Sequence, residues 1–223
     1  MLLLIAPALA WKPIGNLEVF TSFPTDVGLR GTFELPGRLR LTGSAGLMPR
    51  PYLRTINDLA TRNGWYDDQT ADLIDTALED AWVLRAHVGW RPFPKLGFQF
   101  EVGYGWMGLG GGMTGAEVIQ AETGYDLEWL FGDDYDFSVA AELHRVEASV
   151  GWEHVIAGHF LVRWDIGASY TVAAHARVQR QFDPWLFEDA LDDMEEDAEA
   201  DIERDLANLH TPILALGVGW RFQ

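Results

Sequence analysis

The chain has 223 residues, about the size of one domain, with 48% hydrophobic residues, no cysteine and a formal charge of −18 at pH 7. The missing cysteine excludes disulfide scaffolds, thiolate metal centres and cysteine catalysis. No run approaches the roughly 18 consecutive apolar residues of a membrane helix, a test that β-barrels escape because their strands alternate.

The charge is uneven. Three stretches (49–81, 110–137 and 182–211) hold 26 of the 34 acidic residues and only Arg50, Arg54, Arg62 and Arg204 of the 16 basic ones. No nucleic-acid partner is expected, because gripping phosphates requires Lys and Arg.

In chain order, residues 1–10 form an apolar run ending in Ala8, Leu9 and Ala10, which resembles the end of a secretory signal peptide cleaved after Ala10. Residues 11–223 then form a single domain. Predicted strands follow at Asn16–Ser22, Val27–Leu35, Arg38–Leu47, Trp82–Arg91, Leu96–Leu109, Ser138–His154, Phe160–Gln179 and Pro212–Phe222. The clearest is the seventh. There Phe160, Val162, Trp164, Ile166, Ala168, Tyr170, Val172, Ala174, Ala176 and Val178 alternate with residues that are mostly polar or small. Strict period two marks a strand with one apolar face. Its length exceeds both the usual 5–6 residues of a soluble strand and the 9–11 needed to cross a bilayer.

Short turns alternate with the three acidic insertions, and both termini fall at the short-turn end. The pattern predicts an all-β, up-and-down antiparallel transmembrane barrel, most simply of eight strands, with helical extracellular insertions. Aromatic residues gather near strand ends as a membrane girdle: Trp90, Trp152, Trp164, Trp220 and Phe222, and towards the insertions Tyr104, Trp106 and Tyr170. The sixth strand breaks phase at His144-Arg145, where a β-bulge restores the alternation. The opposite face of the strands is polar. Arg30, Arg40, Arg85, Glu101, Glu147, Arg163, Asp165 and Arg177 are its candidate lumen charge network, expected to pair because an eight-stranded interior is only wide enough for side chains. Either a plugged, salt-bridged interior or a narrow aqueous path is compatible with this composition.

The last strand, Leu214 to Phe222, resembles the C-terminal targeting strand of outer-membrane proteins, although Gln223 follows the aromatic residue. In plan the chain is similar to the small eight-stranded barrels of the OmpA, OmpX and OmpW kind. The resemblance implies an outer-membrane location with loops outside and termini in the periplasm. It also implies contact with outer-membrane lipid or lipopolysaccharide, and insertion by the barrel-assembly machinery.

In the insertions, Leu53, Ile56, Leu59 and Ala60 share one helical face within 51–62. Asp67 or Asp68 is placed to cap a second helix. A stripe including Leu191, Met194, Ala198, Ile202 and Leu206 marks a third helix within 184–209. Packed together, these helices form an acidic cap suited to an extracellular partner.

Chemistry-bearing motifs are sparse. Asp133, Asp134 and Asp136 are weak calcium candidates lacking the Gly and distal Glu of a helix–loop–helix site. Ser138 and His144, six residues apart on one strand, are separated by about 20 Å at 3.3 Å per residue, too far for a catalytic pair. No cofactor is expected. The composite expectation is a non-enzymatic outer-membrane barrel with a plugged interior and an interacting cap. The alternatives are a narrow channel for small cationic solutes and a lipid-modifying enzyme.

Overall fold

A computed structural model describes residues 14–62, 81–114, 136–180 and 210–222, with short helical pieces at 195–196, 199–200, 202–204 and 206–207. The signal-like segment 1–10, the second predicted helix, and Asp133 and Asp134 lie outside the described residues.

Eight antiparallel strands close into a barrel in sequence order. They are β1 (Ile14–Phe23), β2 (Asp26–Leu35), β3 (Leu39–Leu47), β4 (Trp82–Phe93), β5 (Phe98–Thr114), β6 (Asp136–Ile156), β7 (Phe160–Arg180) and β8 (His210–Phe222). The barrel is closed by β1 on β8, with Gly15 opposite Phe222 and Phe23 opposite Leu214. The predicted helix in the first insertion is α1 (Arg50–Arg62). Pro51 sits in its first turn, where a missing N–H costs nothing.

The faces are inverted relative to a water-soluble barrel. Thirty large hydrophobic side chains among the described residues are exposed, among them Leu29, Phe33, Leu84, Val102, Ile166 and Leu216, while arginines and carboxylates fill the inside. A water-facing surface rarely carries apolar patches beyond a few hundred Å², so this exterior is built for lipid, with apolar-out and polar-in alternation through the middle of the barrel.

The bulge occurs at the expected level but on the neighbouring strand. His144 pairs with Ala173 and Arg145 with Thr171, so Val172 of β7 is the extra residue. On β6 the alternation is unbroken: Ala141, Leu143, Arg145 and Glu147 are all buried. On β7 the phase reverses above Val172, and Val178, expected on the outer face, is buried instead.

β5, β6 and β7 rise above the rest of the barrel. His210, the first residue of β8, pairs with Tyr170, which leaves the upper part of β7 without a strand on that side among the described residues. Two carboxylates from the helical pieces take the place of a partner strand there. Glu203 accepts the Ala176 backbone N–H at 3.0 Å, and Glu199 accepts that of Val178 at 2.8 Å. The match is geometric, because four residues of helix rise about 6 Å and two residues of strand about 6.6 Å. An edge that would otherwise invite another strand is thereby blunted. Replacing both Glu199 and Glu203 with Ala should raise amide hydrogen exchange at Ala176 and Val178 by about tenfold or more, given 1.5–3 kcal/mol for a hydrogen bond to a charged group. Amides of β1–β4 should be unchanged.

Candidate functional site

The interior is built in cross-strand rows. Towards the insertions the row Val83–Met107–Leu143 on β4, β5 and β6 is wholly apolar. With Met48, Ala81 and Leu53 of α1 it forms the main buried hydrophobic cluster, against which Leu109 and Leu206 pack. α1 is tethered over the barrel mouth by Tyr52, whose ring meets Phe23 edge-on at 5.6 Å and whose hydroxyl contacts that of Thr21.

Below this plug every row is charged. Arg85 holds Asp26 through both carboxylate oxygens at 2.7 and 2.8 Å, and donates to Thr25 at 3.0 Å. Its Nε reaches Glu147 at 3.1 Å, which also contacts His87 Nε2 at 3.1 Å. In the middle tier Arg163 donates to Glu101 at 2.7 Å and to Asp165 at 2.9 Å. Asp165 also accepts from Arg30 at 2.9 Å and Gln99 at 3.0 Å. Glu101 accepts from Thr42 at 3.0 Å, with Arg40 Nε 3.9 Å away. The lowest tier centres on Glu153, which is paired with Arg40 at 2.6 Å, Arg91 at 3.1 Å and Arg221. Asn16 donates to it at 3.0 Å.

Glycines make the rows fit. A Cβ at Gly103 would lie 2.1 Å from the His87 ring, and one at Gly151 would lie 2.0 Å from Asp165 Oδ1. A cavity of about 30 Å³ remains among Arg30, Arg85, Glu101, Glu147 and Arg163, room for roughly two or three waters at 10–15 Å³ each.

Seven of the eight residues expected in the lumen network are brought together. Arg177 is not: it is exposed on the outer face, because the extra residue Val172 reverses the strand below it. Sequence reasoning missed Asp26, read as a turn residue, and Arg145, read as a phase break. Only the unbroken alternation Leu143, Arg145, Glu147 could have revealed Arg145. The girdle residues are partly or largely exposed on the outer face. Trp152 stacks on Trp164 at 4.2 Å near the short turns, Trp106 meets Trp82 at 6.3 Å, and Tyr170 meets His210 at 5.0 Å near the insertions. Asp136 opens β6 opposite Thr114. Among the described residues no three potential ligands are grouped for a metal. His144, placed in no catalytic pair, faces outward against Tyr104 and packs on His175 at 5.8 Å.

No family model matches the chain, and no curated protein matches it. Among solved structures it is similar to a major outer membrane protein from Thermus thermophilus (11% identity, 95% of this chain and 100% of that one, TM-score 0.46). It is similar also to CarO2 of Acinetobacter baumannii (15% identity, 94% and 98% covered, TM-score 0.42). A third similar structure is the N-terminal β-barrel domain of OprF from Pseudomonas aeruginosa (10% identity, 94% and 96% covered, TM-score 0.40).

Glu101 tests the interior directly. Its loss leaves Arg163 with Asp165 alone and removes the acceptor of Thr42 in a space without bulk water, so Glu101→Ala should cost about 3–5 kcal/mol, the range for breaking a buried pair. A water-filled lumen would reduce the cost to about 0–1 kcal/mol. Urea unfolding midpoints of the two proteins in the same detergent give the difference.

Proposed function

We propose that this protein is a bacterial outer-membrane barrel that neither conducts nor catalyses, and that serves at the cell surface through its acidic insertions. The observation that carries this reading is the closed interior. An apolar plug held by Leu53 sits above three tiers of paired charges, and a cavity of about 30 Å³ lies among them.

The apolar exterior supports residence in a lipid bilayer, and strand architecture supports the outer membrane, where bacterial single-chain barrels are found. In this reading residues 1–10 are a signal, the short turns and termini face the periplasm, and the insertions face outward. The C-terminal strand, alternating from Leu214 to Phe222, is the segment presented to the assembly machinery. The aromatic girdle meets lipid headgroups, including lipopolysaccharide on the outer side. The acidic cap then either contacts an extracellular partner or orders the surface lipid layer.

The residual cavity favours one rival, a narrow channel for small cations drawn by the acidic mouth. Planar-bilayer recording of the refolded full chain separates the two. The plugged barrel should show no resolvable single-channel steps in 1 M KCl, a concentration at which the Debye length is about 3 Å. Regular, cation-selective steps from the wild type would overturn the proposal. Unboiled protein should also migrate differently from boiled protein on gels, and solubility without detergent would refute the membrane location.

A further inference from the structure

We infer that the cavity between Arg30, Ser44, His87 and Ser149 binds a monatomic anion of chloride size, together with a proton on His87. This inference is independent of the function proposed above.

The lumen keeps accessible surface at this level. The side chains of Arg30 on β2 and His87 on β4 are 8% and 12% exposed, and Ser44 on β3 and Ser149 on β6 are also only partly buried. Ser44 lies in the row between Arg30 and Arg85, and Ser149 lies beside Glu101. The groups on the wall differ in what they have already spent. Both oxygens of each carboxylate are engaged: Glu147 by Arg85 and His87, Glu101 by Thr42 and Arg163, Asp165 by Gln99, Arg163 and Arg30. Several donors are unspent. Arg30 uses Nη1 alone, on Asp165 at 2.9 Å. The Phe20 ring lies over its guanidinium at 4.5 Å, which occupies a face and not the in-plane edge of Nε–H and Nη2–H. The Ser44 and Ser149 hydroxyls make no hydrogen bond among the described residues.

Spare donors beside spent acceptors select an anion over a cation. About 30 Å³ holds a single-atom anion and one water. Charge balance sets the second condition. Among the described residues seven arginines and seven carboxylates face inward, so the interior is neutral while His87 is uncharged. An anion entering alone would be a buried charge without a counterion, which is costly. The charged groups around the His87 ring are Arg85 on its own strand, Arg40 on β3, Glu101 on β5 and Glu147 on β6. Across the lumen stand Arg30 on β2 and Arg163 and Asp165 on β7. Each of these is held in an ion pair, so the added charge falls to the histidine. Among the described residues His87 is the one histidine on the inner wall, and histidine changes charge between pH 5 and 8. Its Cδ2 edge faces Gly103, and Nε2 contacts Glu147 at 3.1 Å. A neutral ring donating Nε2–H to Glu147 has a bare lone pair at Nδ1, which repels an anion. A protonated ring has Nδ1–H there, one donor more.

The test uses the full chain refolded in detergent micelles in sodium chloride or, at equal ionic strength, in sodium gluconate, whose anion is too large for the cavity. The His87 ring resonance, assigned by its loss in His87→Gln, should move saturably with chloride at about pH 5.5. At about pH 7.5 the same displacement should need at least about tenfold more chloride. At the lower pH the thermal midpoint should rise by about 3–6 °C at ten times the dissociation constant, and this rise should be absent in His87→Gln. Ser44→Ala combined with Ser149→Ala, which leaves every ion pair in place, should bind chloride at least about tenfold more weakly. A ring resonance that ignores chloride at the lower pH means that the cavity takes water only, and overturns the proposal. Equal chloride affinity at the two pH values overturns it as well, as does a response that vanishes when N-methylglucamine replaces sodium.

Discussion

A barrel of eight strands encloses a space that side chains alone nearly fill, and this chain puts charge into it. Among the described residues seven arginines face seven carboxylates there. Removing such groups from water costs several kcal/mol per ion unless partners replace the solvent, so each arginine's position is set by the carboxylates it can reach. Glu153 draws Arg40, Arg91 and Arg221 from three different strands into one tier. The planar fork of arginine can bridge two carboxylates, as Arg85 does between Asp26 and Glu147. A lysine would be a point charge on a flexible stem. The two lysines of the chain are Lys12 and Lys95, the latter in the turn between β4 and β5.

The same constraint explains the plug and the raised strands. Polar pairing needs acceptors on facing walls, and it stops where the rows become Val83–Met107–Leu143. Above that level ordinary hydrophobic packing against Leu53 of α1 takes over, at about 25 cal/mol per Å² of apolar surface removed from water. The bulge at Val172 belongs to this transition. By reversing the phase of β7 it turns Val178 away from the lipid side and leaves Arg177 exposed. Glu199 and Glu203 then satisfy backbone donors at an edge that β8 is too short to cover.

Most of the barrel was legible because period two is a strong signal wherever one face meets lipid and the other meets charge. β2, β3 and β4 begin or end within a residue or two of expectation for that reason. Legibility failed where the two faces resemble each other. Ala141 and Leu143 are apolar yet point inward, so Arg145 below them looked like a slip in phase and the bulge was placed on β6. Pairing was hidden for a different reason. Alternation tells which face a residue occupies but not its height along the barrel axis, and many contacts cross the lumen between strands that are not neighbours. Glu101 on β5 is bound by Arg163 on β7, while Arg85, on the adjacent β4, is engaged by Asp26 on β2. Strand tilt and register decide such pairs. Neither is written in a single strand's pattern.

A closed interior shifts the question of function to what the barrel displays. The membrane-spanning part has near-neutral charge bookkeeping inside and an apolar coat outside, so the net charge of −18 resides chiefly in the three insertions. Charge of one sign concentrated on loops at one end makes a surface field that attracts cations and repels anionic polymers over about 8 Å at physiological ionic strength.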